Sequence, residues 1–106
     1  MNDDLDLRNR ANQGNKAKDL LNNDIFNRVF EILEKRYIEG FSESKSDDSH
    51  VREICYRQLQ ALRKLREEIS ILVADGKLAS EKLDTINKKK ILLKGINYGQ
   101  QQSARN

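Results

Sequence analysis

Between Asp24 and Phe41, apolar residues fall at Phe26, Phe30, Leu33, Tyr37 and Phe41, in steps of 4, 3, 4 and 4. That is the repeat of one helix face. Ile25, Val29 and Ile32 flank it and widen the stripe beyond what a lone surface helix needs. A longer pattern runs from about His50 to Asp75, where Val51, Cys55, Leu62, Leu65, Ile69, Leu72 and Val73 share a face with Leu59 at its edge. Gly76 suits the left-handed position just past a helix C-terminus. Gly40 and the run 42–49, with four serines and two aspartates, predict a loop between these helices. Ser46, Asp47, Asp48 and Ser49 can each cap the second one. A polar connector of about eight residues permits an antiparallel hairpin.

Outside this pair the pattern weakens. Leu20, Leu21 and Ile25 suggest a helix starting near Lys16, and Asn22 and Asn23 ahead of Asp24 predict a break in it. Residues 1–15, rich in Asn, Asp and Arg, are expected to be a flexible arm. Ser80 reads as the cap of a shorter third helix through Leu83 and Ile86. Lys88, Lys89 and Lys90 then precede the apolar cluster Ile91, Leu92 and Leu93, closed by Gly95, and the tail 97–106 is polar. The expected fold is therefore all-α: an antiparallel helical hairpin with a shorter third helix and flexible termini. Its parts would be an arm (1–15), a hairpin domain (16–86) and a basic, partly disordered tail (87–106).

Composition sharpens this picture. A chain of 106 residues has room for one domain. It is 37% apolar and 35% charged, with 6% aromatics and no Trp, so its core must be thin. Burial stabilises by about 25 cal/mol per Å² against roughly 1–2 kcal/mol of entropy per ordered residue, a near balance for so polar a chain. Self-association is the expected remedy. The absence of Pro and the five Gly favour long helices. The single Cys55 excludes an intramolecular disulfide and suggests a reduced compartment. No apolar run is long enough for a membrane span, and the acidic, polar start does not resemble a signal peptide. The net charge of +3 is uneven: −3 over residues 1–50, +1 over 51–76 and +5 over 77–106.

Catalytic chemistry finds little support. His50 and Cys55 lie about 140° apart if both are helical, and no third residue is placed to orient the histidine. One His and one Cys cannot form a zinc shell. Asp47 and Asp48 lack the spacing of a calcium loop, and no glycine-rich phosphate loop occurs. No catalytic, cofactor-binding or metal-binding residues are expected. Arg52, Tyr56, Arg63 and Arg66 cluster on one flank of the long helix, but Glu53, Glu67 and Glu68 alternate with them. Arg63–Glu67 and Lys64–Glu68 read as ordinary pairs one turn apart. Lys88, Lys89, Lys90 and Lys94 are better placed to grip nucleic-acid phosphates, the nearest acids being Glu81 and Asp84. The wide stripe of Phe26, Phe30, Leu33, Tyr37 and Phe41, together with Ile71 on the far side of the long helix, is the expected protein interface.

The run Ala17-Lys18-Asp19-Leu20-Leu21-Asn22-Asn23 followed by Phe26 and Phe30 carries a family resemblance. So does Arg52-Glu53 with Tyr56, Leu59 and Ala61-Leu62, ending in Gly76-Lys77-Leu78-Ala79. Over roughly residues 17–83 the chain resembles small helical proteins encoded among the packaging and virion genes of tailed bacteriophages. The resemblance implies a setting in a phage particle or its assembly machinery and assigns no functional residues. The leading expectation is a non-catalytic phage structural or assembly protein: a homo-oligomer that contacts other virion proteins, located in the virion or host cytoplasm, without membrane contact. One alternative is a nucleic-acid-binding packaging factor, like a small terminase subunit, using the basic C-terminal third. Another is a phage-encoded inhibitor of a host protein.

Overall fold

The computed structural model describes the backbone of residues 3–45 and 47–105, with side chains to residue 95. It is all-helical over these residues. α1 spans Asp3–Leu21, α2 spans Asp24–Glu43 and α3 spans Ser49–Arg105. The first two follow one another along a single path, and both pack against α3. The result is one antiparallel hairpin of 90 × 28 × 16 Å, a single layer of paired helices. At 57 residues, α3 is about 86 Å long and spans the whole molecule.

The break between α1 and α2 falls at the Asn pair. Asn23 stands at the N-cap with extended backbone, and its Oδ1 accepts a hydrogen bond from the Phe26 amide at 2.9 Å. Asn27 then donates from Nδ2 to the Leu21 carbonyl at 2.9 Å, tying the end of α1 to the first turn of α2. The turn into α3 is closed locally. Ser44 Oγ donates to the Phe41 carbonyl, and the Asp48 amide to that of Lys45. Asp48 occupies the cap position, its carbonyl accepting from the Arg52 amide at 3.1 Å. The Ser46 cap considered above lies outside the described residues.

Two expectations fail here. Residues 3–15 are not an arm but the first turns of α1, with Leu7 and Gly14 buried. The third helix is not separate or short, because α3 runs unbroken through Gly76, Ser80 and Gly95 to Arg105. The hairpin accordingly extends beyond the 16–86 expected for it, and the segment from 87 on continues α3. No described glycine has a positive φ, so Gly76 is no C-terminal cap. Its reason lies across the hairpin. A Cβ on Gly14 would come within 2.6 Å of the Gly76 Cα, and one on Gly76 within 2.5 Å of the Gly14 Cα. The two helices touch backbone to backbone.

The seam explains the rest of the burial. On α2 it runs through Phe26, Phe30, Leu33, Tyr37, Gly40 and Ser44 in alternating steps of 4 and 3. On α3 it runs through Cys55, Leu59, Leu62, Arg66, Ile69 and Val73 in the same alternation, the 3.5-residue repeat of coiled coils. At the glycine crossing both strands switch to two successive steps of 3, Ala11-Gly14-Ala17 on α1 and Val73-Gly76-Ala79 on α3. Such a contraction locally overwinds the pair. Here small residues let it close tightly, with Ala17 and Ala79 buried. Further along, the Sγ of Cys55 fills the space in front of Gly40, where a Cβ would sit 2.8 Å away. Arg66 lays its guanidinium 4.8 Å above the Phe30 ring, a cation–π cover for the most buried aromatic.

Substituting Gly76 separates these effects. Alanine is favoured over glycine inside a helix by about 1 kcal/mol, but overpacking against immovable backbone costs roughly 1–3 kcal/mol. Gly76→Ala should lower the urea midpoint, whereas Gly95→Ala, with open space around it, should not. A midpoint that rose for Gly76→Ala would show that the helices do not meet at this height.

Candidate interaction surfaces

Three surfaces are left once the seam is filled. The first is a groove of about 590 Å³ near the start of α1, lined by Asp3, Asp6, Leu7, Arg10, Leu78 and Lys82 among others. Its arginine is already engaged. Arg10 donates from Nε and from Nη2 to the two carboxylate oxygens of Asp75 at 3.0 and 2.7 Å. This fork-to-fork pair, half-buried between α1 and α3, is the geometry that arginine forms best. Hydrogen bonding from Arg10 holds the Asp75 carboxyl below its usual value, against partial desolvation, with the charges of Arg10 and Lys82 adding to the effect. The same bond raises Arg10, and Asp6 at 3.7 Å contributes less.

The second surface is apolar. Among the described residues the buried apolar set is Leu7, Ala17, Phe30, Ile69 and Ala79. Meanwhile Leu20, Ile25, Val29 and Ile32 on the first two helices, and Ile54, Leu65 and Leu72 on α3, are 39–69% exposed. Leu20 and Leu72 line one groove with Ala17 and Ile69. On α3, Ile54, Ala61, Leu65 and Leu72 fall within about 40° of one another around the helix axis. The opposite flank carries a polar bridge, in which Arg63 reaches Glu34 at 3.4 Å rather than its own neighbour Glu67. Lys64 pairs with Glu68 at 3.3 Å as expected, at the outer edge of the stripe. Val29 and Ile32 lie some 140–160° around α2 from Glu34, so they share the apolar flank of the hairpin with the α3 stripe.

The third surface is the end of α3. Lys90 reaches back to Asp4 at 3.3 Å, close to the start of α1. Residues 91–105 continue beyond α1 for about 22 Å of helix. Lys88, Lys89, Lys90 and Lys94 are exposed, as are Ile91, Leu92 and Leu93 at 64–67%. Around residues 88–95 polar and apolar side chains alternate without forming a distinct face.

The residues singled out by sequence therefore separate. Phe26, Phe30, Leu33 and Tyr37, expected to face a partner, pack against α3 of the same chain, and Phe30 is only 5% exposed. Phe41 and Ile71 remain on the outside, 45% and 50% exposed, but on different elements and not side by side in sequence or seam position. Sequence reading missed Leu20, Ile54 and Leu65 as surface residues, and noted Val29 and Ile32 only as the margin of the wide stripe. The spacing of Ile54, Ala61, Leu65 and Leu72 was the available signal. His50 is exposed in the first turn of α3, and Cys55 is turned toward Gly40. No cluster of three metal-ligating side chains and no helix long and apolar enough to cross a membrane occurs among the described residues. Comparison with protein-family models, curated proteins and solved structures finds no match.

The Arg10–Asp75 pair makes a pH signature. Because the Asp75 carboxyl is held low in the folded state, its contribution is complete above the unfolded value near 3.8. It disappears as pH falls through the lower folded value. The thermal midpoint should therefore drop on acidification below about pH 4, and Asp75→Asn should flatten that drop while lowering the midpoint at neutral pH. An unchanged acid profile in Asp75→Asn would remove the pair from the account.

Proposed function

We propose that this chain is a non-catalytic assembly protein, an oligomerising helical hairpin whose projecting α3 end contacts a larger component. The observation that carries the reading is the single-layer architecture. Among the described residues it buries five apolar side chains and leaves a flank of aliphatic ones outside. Covering the exposed part of these side chains adds about 25 cal/mol per Å² of apolar surface to what the seam contributes. The setting in a phage particle or host cytoplasm rests on the resemblance of residues 17–83 alone. Light scattering across protein and salt concentrations should find an oligomer that survives high salt, because apolar contacts are not screened. A monomer at every concentration would overturn the reading.

A second reading, a nucleic-acid-binding packaging factor, is favoured by one feature. Residues 85–106 carry five basic groups and no acidic one, and most of this segment projects beyond α1. Binding to duplex DNA should then weaken steeply with salt and be lost when Lys88, Lys89, Lys90 and Lys94 are replaced by Gln. Binding that ignores salt, or that survives the four substitutions, would exclude it.

A further inference from the structure

The exposed stripe of α3 is symmetric about its own centre. Ile54, Ala61, Leu65 and Leu72 are separated by 7, 4 and 7 residues, so the pattern reads alike in both directions from Arg63. Ile54 and Leu72 lie nine residues on either side of that midpoint, and Ala61 and Leu65 lie two. If a second copy lies antiparallel on this face, Ile54 meets Leu72 and the small Ala61 meets the large Leu65, each contact occurring twice. That is the self-complementarity a twofold interface requires.

The charged margin of the stripe obeys the same symmetry. Arg57 lies six residues before the midpoint and Glu68 five after it, on the same outer edge. Within the chain, Arg57 pairs with Glu53 at 2.6 Å and Glu68 with Lys64 at 3.3 Å, all four exposed. An antiparallel copy would bring each Arg57 beside the other's Glu68, whereas the pattern offers no such match to a parallel α3. Ile32 of α2 is near the level of the midpoint, judging from the Glu34–Arg63 bridge, and would meet its own copy.

Size agrees. From Ile54 to Leu72 the stripe is about 27 Å long, and two adjacent helices are about 20 Å wide. Pairing would cover on the order of 540 Å² per copy, or about 1,100 Å² in all, near the lower end of specific interfaces and above ordinary lattice contacts.

We infer that the flank bearing Ile54, Ala61, Leu65 and Leu72 binds a second copy of this chain, α3 against α3 in antiparallel orientation, forming a four-helix dimer. The inference rests on the self-association proposed above and specifies its face and direction. Spin labels test it on the full chain carrying Cys55→Ser, with Lys64→Cys or Glu53→Cys as the labelled site. Position 64 is one residue from the axis and should give an intermolecular distance under about 20 Å, while position 53 should give about 30 Å or more. In parallel, Leu65→Asp should weaken association about 100-fold or more with helix content retained, and Ile91→Asp should leave it unchanged. An oligomer with equal distances at the two positions, or one indifferent to Leu65→Asp, overturns the antiparallel face but not self-association. A monomer at all concentrations overturns both.

Discussion

Gly14 and Gly76 meet with no side chain between them, and the height of that meeting sets every other pairing along the hairpin. In an antiparallel pair one matched level determines the rest. Arg10 is thereby brought to Asp75, Asp4 to Lys90, Phe30 to Arg66 and Gly40 to Cys55. A one-residue slip would place the Cβ of Asp75 or Lys77 against Gly14 and would separate the carboxylate from its guanidinium. The glycines also compensate for composition. α1 has few large apolar residues, and where side chains cannot supply contact, close backbone approach supplies dispersion instead. The cost is backbone entropy, about 0.5–1 kcal/mol for each helical glycine.

The seam that follows from this crossing is narrow, and its narrowness determines what is left outside. Two helices side by side can hide one stripe each. α2 uses its stripe for aromatics against α3, and Arg66 covers Phe30 on the side where Glu34 and Arg63 also bridge. Polar side chains thus guard one flank of the hairpin. The other flank receives the aliphatic residues that the seam has no room for. Meanwhile α1, the break and α2 together are shorter than α3, so the last turns of the long helix extend past their partner, following the exposed Lys88, Lys89 and Lys90 and carrying Lys94. An apolar flank and a basic projection are both consequences of fitting a thin core to a long helix.

Much of this was legible in the chain. The 4, 3, 4, 4 spacing of α2, the Asn pair at its start and the serine-rich turn marked the elements close to where they lie. What the pattern concealed was the core made of absent side chains. Ala11, Gly14 and Ala17 carry no hydrophobic signal, so the first helix read as a polar arm. Gly76 read as a stop because glycine's usual role at a helix end is local, whereas here its partner is 62 residues away in sequence. The same difficulty affected the interface. Phe26, Phe30, Leu33 and Tyr37 looked like docking residues because their stripe was wide, yet intramolecular pairing uses its centre and leaves the margin. Periodicity identifies a buried face but not which partner buries it.

The arrangement of the flank has a further consequence for the basic end. The seam is asymmetric, with aromatics on one helix and aliphatics and arginine on the other. The flank is palindromic. In an antiparallel pair the two α3 ends would point away from each other, since each stripe midpoint lies 42 residues from Arg105. Their lysines, 25–31 residues from the midpoint, would then stand about 75–93 Å apart on one continuous rod. Each end alone presents a handful of lysines, a modest electrostatic contact that salt screens. Held on one rod, the two ends can engage a repetitive anionic surface together, and the second contact becomes intramolecular. A spacing near that length would be favoured over others. Dimerisation and the basic projection would then work as one device, the symmetric flank setting the distance at which two weak contacts act as one strong one.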